Sequence, residues 1–143
     1  MERLSLQILG PLWKVYRVAE RERERAVVLI VEDELLVRMD AVDMLRDAGF
    51  DVIEASNADE AIMILESGAA ISVVFTDIQM PGSMDGLKLA AAVRKRWPPV
   101  KIMATSGLPW PGEDDLPSGS RFLRKPYSAS QIVGVLRELT GQI

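Results

Sequence analysis

The chain has 143 residues, 48% hydrophobic and 27% charged, with a formal net charge of -4 and neither cysteine nor histidine. Its length suits one domain with a single sizeable core. The composition excludes disulfides, thiol or imidazole metal ligands and Ser-His catalysis within the chain; no apolar run approaches the roughly 20 residues that span a bilayer, and the acidic balance argues against direct nucleic-acid binding.

Residues 1–25 differ in character from the rest: a mixed apolar stretch, LSLQILGPLWKVY, precedes the alternating run ERERER at Glu20 to Arg25. This reads as an N-terminal extension, helical or disordered, with a helix that pairs with a second copy or a partner as the alternative. Gln7, Gly10 and Pro11 interrupt it too often for a signal peptide. The domain proper is placed at 26–143.

From Ala26 onwards, strand and helix patterns alternate. The β-branched run Ala26 to Val31 predicts a strand buried on both faces. Leu35, Met39, Val42 and Leu45 recur at helical spacing, and Gly49 ends that helix. Phe50 to Ala55 reads as a second strand. Asn57 and Glu60 resemble a capping box opening a helix with Ala58, Ala61, Ile62 and Leu65 on one face. Ile71 to Thr76 is the third strand, and Leu87, Ala90, Val93 and Trp97 mark the third helix, with Asp85 as its cap. Val100 to Thr105 is the fourth strand and Arg121 to Leu123 a short fifth. The last helix starts at Ser128, with Gln131 completing a capping box and Ile132, Val135, Leu136 and Leu139 buried. Such alternation requires right-handed crossovers and a mostly parallel sheet covered on both sides. Sites in such sheets lie beyond the carboxyl ends of the strands.

Polar groups collect at those ends: Glu32 and Asp33 after the first strand, Asp77 after the third, Thr105 and Ser106 after the fourth, and Lys125 with Pro126 after the last. One carboxylate would be read as a helix cap, but several converging ones raise each other's pKa unless a cation intervenes. With only oxygen ligands on offer the natural cation is Mg²⁺, which favours carboxylates together with a phosphate oxygen. Lys125 and Thr105 are then suited to a phosphoryl group's oxygens, and Asp77 is the candidate nucleophile.

The ordered set VLIVEDE, TDIQMPGSMDG, ATSG and FLRKPY resembles the receiver domain of two-component response regulators, over about Val27 to Leu139. The resemblance implies a flavodoxin-like, doubly wound α/β fold of βα repeats with a five-stranded parallel sheet. It implies that Asp77 is the phosphoacceptor, served by a sensor histidine kinase or a histidine phosphotransfer protein. Asp33 is similar in position to the direct Mg²⁺ ligand, Glu32 to one acting through water, and the backbone carbonyl of Gln79 to a further ligand beside Asp77. Thr105 resembles the switch hydroxyl, Phe122 the rotating aromatic, and Lys125 the pocket lysine, with a cis bond to Pro126. An added phosphate would draw Thr105 and Lys125 inward and bias the face around the fourth strand.

Two departures stand out. Ser83 and Met84 make the loop after Asp77 look one residue longer than the commonest receiver form. Between Gly107 and Ser120, Pro109, Pro111, Pro117, Gly112 and Gly119 leave room for about one helical turn, so the fourth helix is expected to be short or missing. The usual dimer mode is not carried over, although a homodimer stays open. That segment is read as a loop that only closes the sheet or as a partner-specific one anchored by Trp110. Trp97, by contrast, is expected to be a core or edge aromatic at its helix end.

The sequence stops at Ile143, just after the last helix, so a receiver-only, cytoplasmic signalling switch is expected, with output through an unknown protein and without nucleic acid or membrane as partner. It is expected not to be an enzyme, beyond catalysing its own phosphorylation and dephosphorylation. The rivals are a phosphate sink or relay intermediate, a phosphorylation-independent interaction module, and a flavodoxin-type electron carrier. The acidic run Glu32, Asp33 and Glu34 would repel a flavin phosphate and argues against the last.

Overall fold

A computed structural model describes residues 25–80, 84–107 and 115–141. The expected extension, apart from Arg25, the loop tip at 81–83, and Pro109, Trp110, Pro111 and Gly112 lie outside them. The described residues form β1 (Val27–Val31), α1 (Leu35–Asp47), β2 (Asp51–Ala55), α2 (Ala58–Glu66), β3 (Val73–Asp77), α3 (Gly86–Arg96), β4 (Lys101–Ser106), β5 (Arg121–Arg124) and α4 (Ala129–Thr140). The strands lie in the order β2-β1-β3-β4-β5, every pair parallel. This is the expected flavodoxin-like α/β arrangement, whose strand order reverses between β1 and β3. No described helix is long and apolar enough to cross a membrane.

Alternation along the strands sends side chains to two cores. Leu29, Val31, Val74, Ile102 and Ala104 pack under α2 and α3, while Val28, Ile30, Val73, Phe75 and Met103 pack under α1 and α4. Leu45 of α1, Leu89 of α3 and Ile132 and Leu136 of α4 are fully buried against the sheet, and truncating any of them to alanine costs about 2–5 kcal/mol.

The caps follow the sequence with one exception. Ser128 and Gln131 form the full capping box, and Asp85 Oδ1 accepts from the Lys88 N–H at 2.9 Å. Asn57 caps α2 by accepting from Glu60 N–H at 2.8 Å, but the Glu60 carboxylate accepts from Ser56 Oγ at 2.7 Å, so the expected reciprocal arm is not made. Trp97 sits at the end of α3, half-buried, with the Arg96 guanidinium 4.3 Å above its ring.

Other expectations shift. The helical stripe of α1 was extended too far towards its start: Ala41, Val42 and Leu45 are buried, whereas Leu35 and Met39 are 57% and 49% exposed. In these first turns Val37 and Arg38 are half-buried, while Leu35, Leu36 and Met39 face away from the described core. Strand β3 runs one residue further than expected, so Asp77 is itself a strand residue, paired with Thr105. Between β4 and β5 the described residues contain no α-helix, and Leu116 inserts into the core under α2 and α3.

Candidate functional site

β1 and β3 are neighbours; Asp77 ends β3, and Glu32 and Asp33 directly follow β1, at the carboxyl edge of the sheet. Glu32, Asp33 and Asp77 offer oxygens that all lie within 4.8 Å of one another. Glu32 and Asp77 are buried, while Asp33 is exposed. Lys125, delivered by the end of β5, reaches between the buried two: its Nζ donates to Glu32 Oε1 at 2.7 Å and to Asp77 Oδ2 at 3.1 Å. The Lys125–Pro126 bond is cis, as the resemblance implies.

These charges perturb one another. Burial is the main force on Glu32 and pushes its carboxyl above the ordinary range; Asp77 adds to this and Lys125 opposes it. Burial alone would lower the Lys125 ammonium, but its hydrogen bonds to Glu32 and Asp77 outweigh that and hold it above its usual value. Tyr127, raised chiefly by burial, packs edge-on against Phe75 with ring centroids 5.7 Å apart.

Thr105 lies opposite Asp77 in the sheet register, and the two line one small cavity with Glu32, Ala41 and Tyr127. Its Oγ1 is buried and has no hydrogen-bond partner among the described residues. A buried hydroxyl left unpaired costs about 1–3 kcal/mol, so the site carries a donor with nothing yet to bond. Gln79, exposed, gives its N–H to Asp77 Oδ1 at 3.3 Å. Phe122 stands apart: it is half-buried in the core under α2 and α3 and does not line this cavity.

Two supporting residues, Arg38 and Gly86, were missed at sequence level, and a third, Ser106, was placed at its strand end without a partner. Arg38 on α1 donates from Nη1 to the Glu32 carbonyl at 2.7 Å and from Nε to Glu54 Oε1 at 3.2 Å, fastening the end of β1 to that of β2. Ser106 donates from Oγ to Gln79 Oε1 at 2.6 Å. Gly86 donates its N–H to the Ile78 carbonyl at 2.9 Å, and a Cβ there would lie 2.7 Å from Ile78 Cα and closer still to the Asp77 carbonyl oxygen. Arg38 lies within the helical stretch but off its apolar pattern, and Gly86 directly follows the capping Asp85. Neither position, however, reveals a long-range partner.

The donor set suits a hard, oxygen-seeking cation such as Mg²⁺: clustered carboxylates, no nitrogen or sulfur ligand, and an ammonium and a hydroxyl at hand for an anion beside it. Among the described residues, this cluster is the one group of three acidic side chains close enough to share an ion.

A family model described as the response regulator receiver domain matches residues 28–137. Among curated proteins, the sensor kinase CckA of Brucella abortus is 38% identical over 121 residues, covering 80% of this chain and 12% of that protein. The transcriptional regulatory protein PdtaR of Mycobacterium tuberculosis is 33% identical over 114 residues, covering 74% of this chain and 52% of the relative. The chain thus spans about half or less of the length of these relatives. Among solved structures, a response regulator receiver protein from Sinorhizobium medicae superposes with a TM-score of 0.78 at 32% identity, covering 82% of this chain and 96% of the other. The receiver domain of the hybrid histidine kinase CckA gives 0.69 at 31% identity, covering 80% and 99%.

Proposed function

The chain belongs to the response regulator receiver family, and we propose that it is a signalling switch operated by phosphorylation of Asp77. The observation that carries this reading is the buried Asp77 carboxylate, held 3.1 Å from the Lys125 ammonium within a cluster of three acidic side chains. An Asp77 oxygen attacks phosphorus, the P–N bond of a phosphohistidine donor breaks, and the imidazole leaves with that bond's electron pair. Lys125 exchanges a carboxylate partner for a phosphoryl oxygen, and the unpaired hydroxyl of Thr105 donates to another. Asp33, Asp77 and the Gln79 carbonyl are the proposed Mg²⁺ ligands, with Glu32 acting through water. When bound, Mg²⁺ offsets the negative charge that gathers on the transferred oxygens.

The donor in this reading is a histidine kinase or phosphotransfer protein in the cytoplasm. A groove of about 460 Å³ between α1 and the β5–α4 connection is lined by Val37, Met44, Lys125 and Tyr127. With exposed Leu35, Leu36 and Met39 on α1, it provides an apolar approach to Lys125 for that donor. Movement of Thr105 carries the signal to the β4 end and to Phe122 on β5. The output is a protein contact, not catalysis on an external metabolite.

Intact-mass spectrometry after incubation with acetyl phosphate and Mg²⁺, or with a phosphohistidine donor, tests the reading. One phosphoryl group should be gained by the wild type and none by Asp77→Ala or in chelator. Absence of the gain from both donors would leave the phosphorylation-independent module as the better account.

A further inference from the structure

At the end of β4, two neighbouring hydroxyls have different surroundings. Thr105 Oγ1 is buried in the acceptor cavity, whereas Ser106, also buried, donates from Oγ to Gln79 Oε1 at 2.6 Å. Gln79 is an exposed loop residue two positions beyond Asp77. An exposed glutamine ordinarily leaves its carboxamide to water, because pinning the side chain costs about as much conformational entropy as one neutral hydrogen bond returns. This tether therefore adds little net stability, and what it supplies is position.

The tether holds Gln79 at a second point. Its N–H already donates to Asp77 Oδ1 at 3.3 Å, and the preceding Ile78 N–H donates to the Thr105 carbonyl at 2.9 Å. On the other side, the Ser106 carbonyl accepts from the Lys125 N–H at 3.0 Å. Ser106 thus joins the loop after the acceptor aspartate, the strand carrying Thr105 and the strand delivering Lys125.

We propose that Ser106 is a positioning residue for the cation site: through the Gln79 side chain it fixes the loop whose carbonyl binds Mg²⁺, and it couples cation binding to the Thr105 end of β4. The inference rests on the Mg²⁺ site assigned under the proposed function. Coupling of this kind is reciprocal, so whatever orders the loop is felt at β4 and the reverse.

Calorimetric Mg²⁺ titrations of the wild type, Ser106→Ala, Gln79→Ala and the double variant test it. Gln79→Ala keeps the backbone carbonyl and alters an exposed side chain, so it removes the tether without endangering the fold. Each single change should weaken Mg²⁺ binding by about tenfold, as loss of outer-shell support typically does, and the double should be no weaker than Ser106→Ala alone. Hydrogen exchange supplies a second readout: Mg²⁺ should slow exchange at the Ile78 amide, and less so in Ser106→Ala. Additive losses, or a Gln79→Ala dissociation constant within about twofold of wild type, would overturn the proposal, even if Ser106→Ala lowered stability. A wild type that binds no Mg²⁺ at all would instead remove the proposed function itself, and this inference with it.

Discussion

Replacing Gly86 by alanine tests the close seating of α3 against the end of β3. The added Cβ would stand 2.7 Å from Ile78 Cα and 2.9 Å from the Asp77 carbonyl carbon, both backbone atoms that cannot swing aside. The helix start must back away, straining a packed region at about 1–3 kcal/mol and weakening the Gly86 N–H to Ile78 carbonyl bond, worth about 1 kcal/mol. Alanine's better helix propensity returns less than about 1 kcal/mol. A net loss of about 2 kcal/mol follows, which lowers Tm by about 8 °C in a domain of this size. Gly134, in the exposed interior of α4, is the control, because a Cβ there meets nothing within 4 Å. Gly134→Ala should stabilise by about 0.5–1 kcal/mol through helix propensity alone. Urea unfolding of both variants reads the contrast. If Asp77 is the phosphoacceptor proposed above, its phosphorylation should also slow in Gly86→Ala below the midpoint, because the clash falls on the Asp77 backbone. A Gly86→Ala variant as stable as the wild type would refute the steric reasoning.

Lys125→Met strands Glu32 and Asp77 as buried neighbours without a cation, and should cost about 2–3 kcal/mol near pH 8, below the usual buried-pair figure because Lys125 retains some solvent contact. The folded pKa of Lys125 lies above its ordinary 10.5, so its contribution is complete below 10.5 and is lost as pH rises through the folded value. The deficit in urea midpoint should therefore shrink in strong alkali, and shrink again in acid as the Glu32 carboxyl protonates; a deficit independent of pH would contradict this. Glu32 carries the opposite penalty: its folded pKa is raised above 4.5, so the native state binds more protons and stability falls as pH rises from 4.5 through that value. Glu32→Gln should flatten that slope in urea midpoints measured across pH. Thr105→Val removes a buried hydroxyl that has no partner, and should leave stability unchanged or raise it by up to about 1 kcal/mol. Intact mass should still show its phosphorylation, while a phosphorylation-dependent change in exchange at β4 is lost; a marked drop in Tm would show that the hydroxyl is paired. Mg²⁺ at ten times its dissociation constant should stabilise the wild type by about 1.4 kcal/mol, read as a rise in Tm reversed by chelator. An unchanged Tm would count against the acidic cluster as its site.

Much of the architecture was legible because its signals are local. β-branched runs mark the strands, helical spacing marks α2 to α4, and the Ser128–Gln131 and Asp85 caps depend on residues three apart. The candidate site was legible because its residues sit at or just beyond the ends of strands, and in a parallel α/β sheet those ends share one edge. The helix at Leu35 was legible, but periodicity does not say where along it burial begins, and Leu35 and Met39 stand exposed. The second arm of the Asn57 cap failed because the Ser56 hydroxyl offered Glu60 a competing partner.

The sequence by itself determined the alternation of elements, the identity of the acidic, hydroxyl and lysine side chains and the strand end to which each belongs. Only the tertiary structure decided that Lys125 bridges Glu32 and Asp77, 93 and 48 residues away, and that Ser106 holds Gln79, 27 residues before it. The seating of Gly86 on the Asp77 and Ile78 backbone was likewise invisible in the chain. The division has a physical cause. Hydrophobic period and capping are set by near neighbours along the chain, whereas a hydrogen bond across 93 residues depends on every crossover and strand register between its ends.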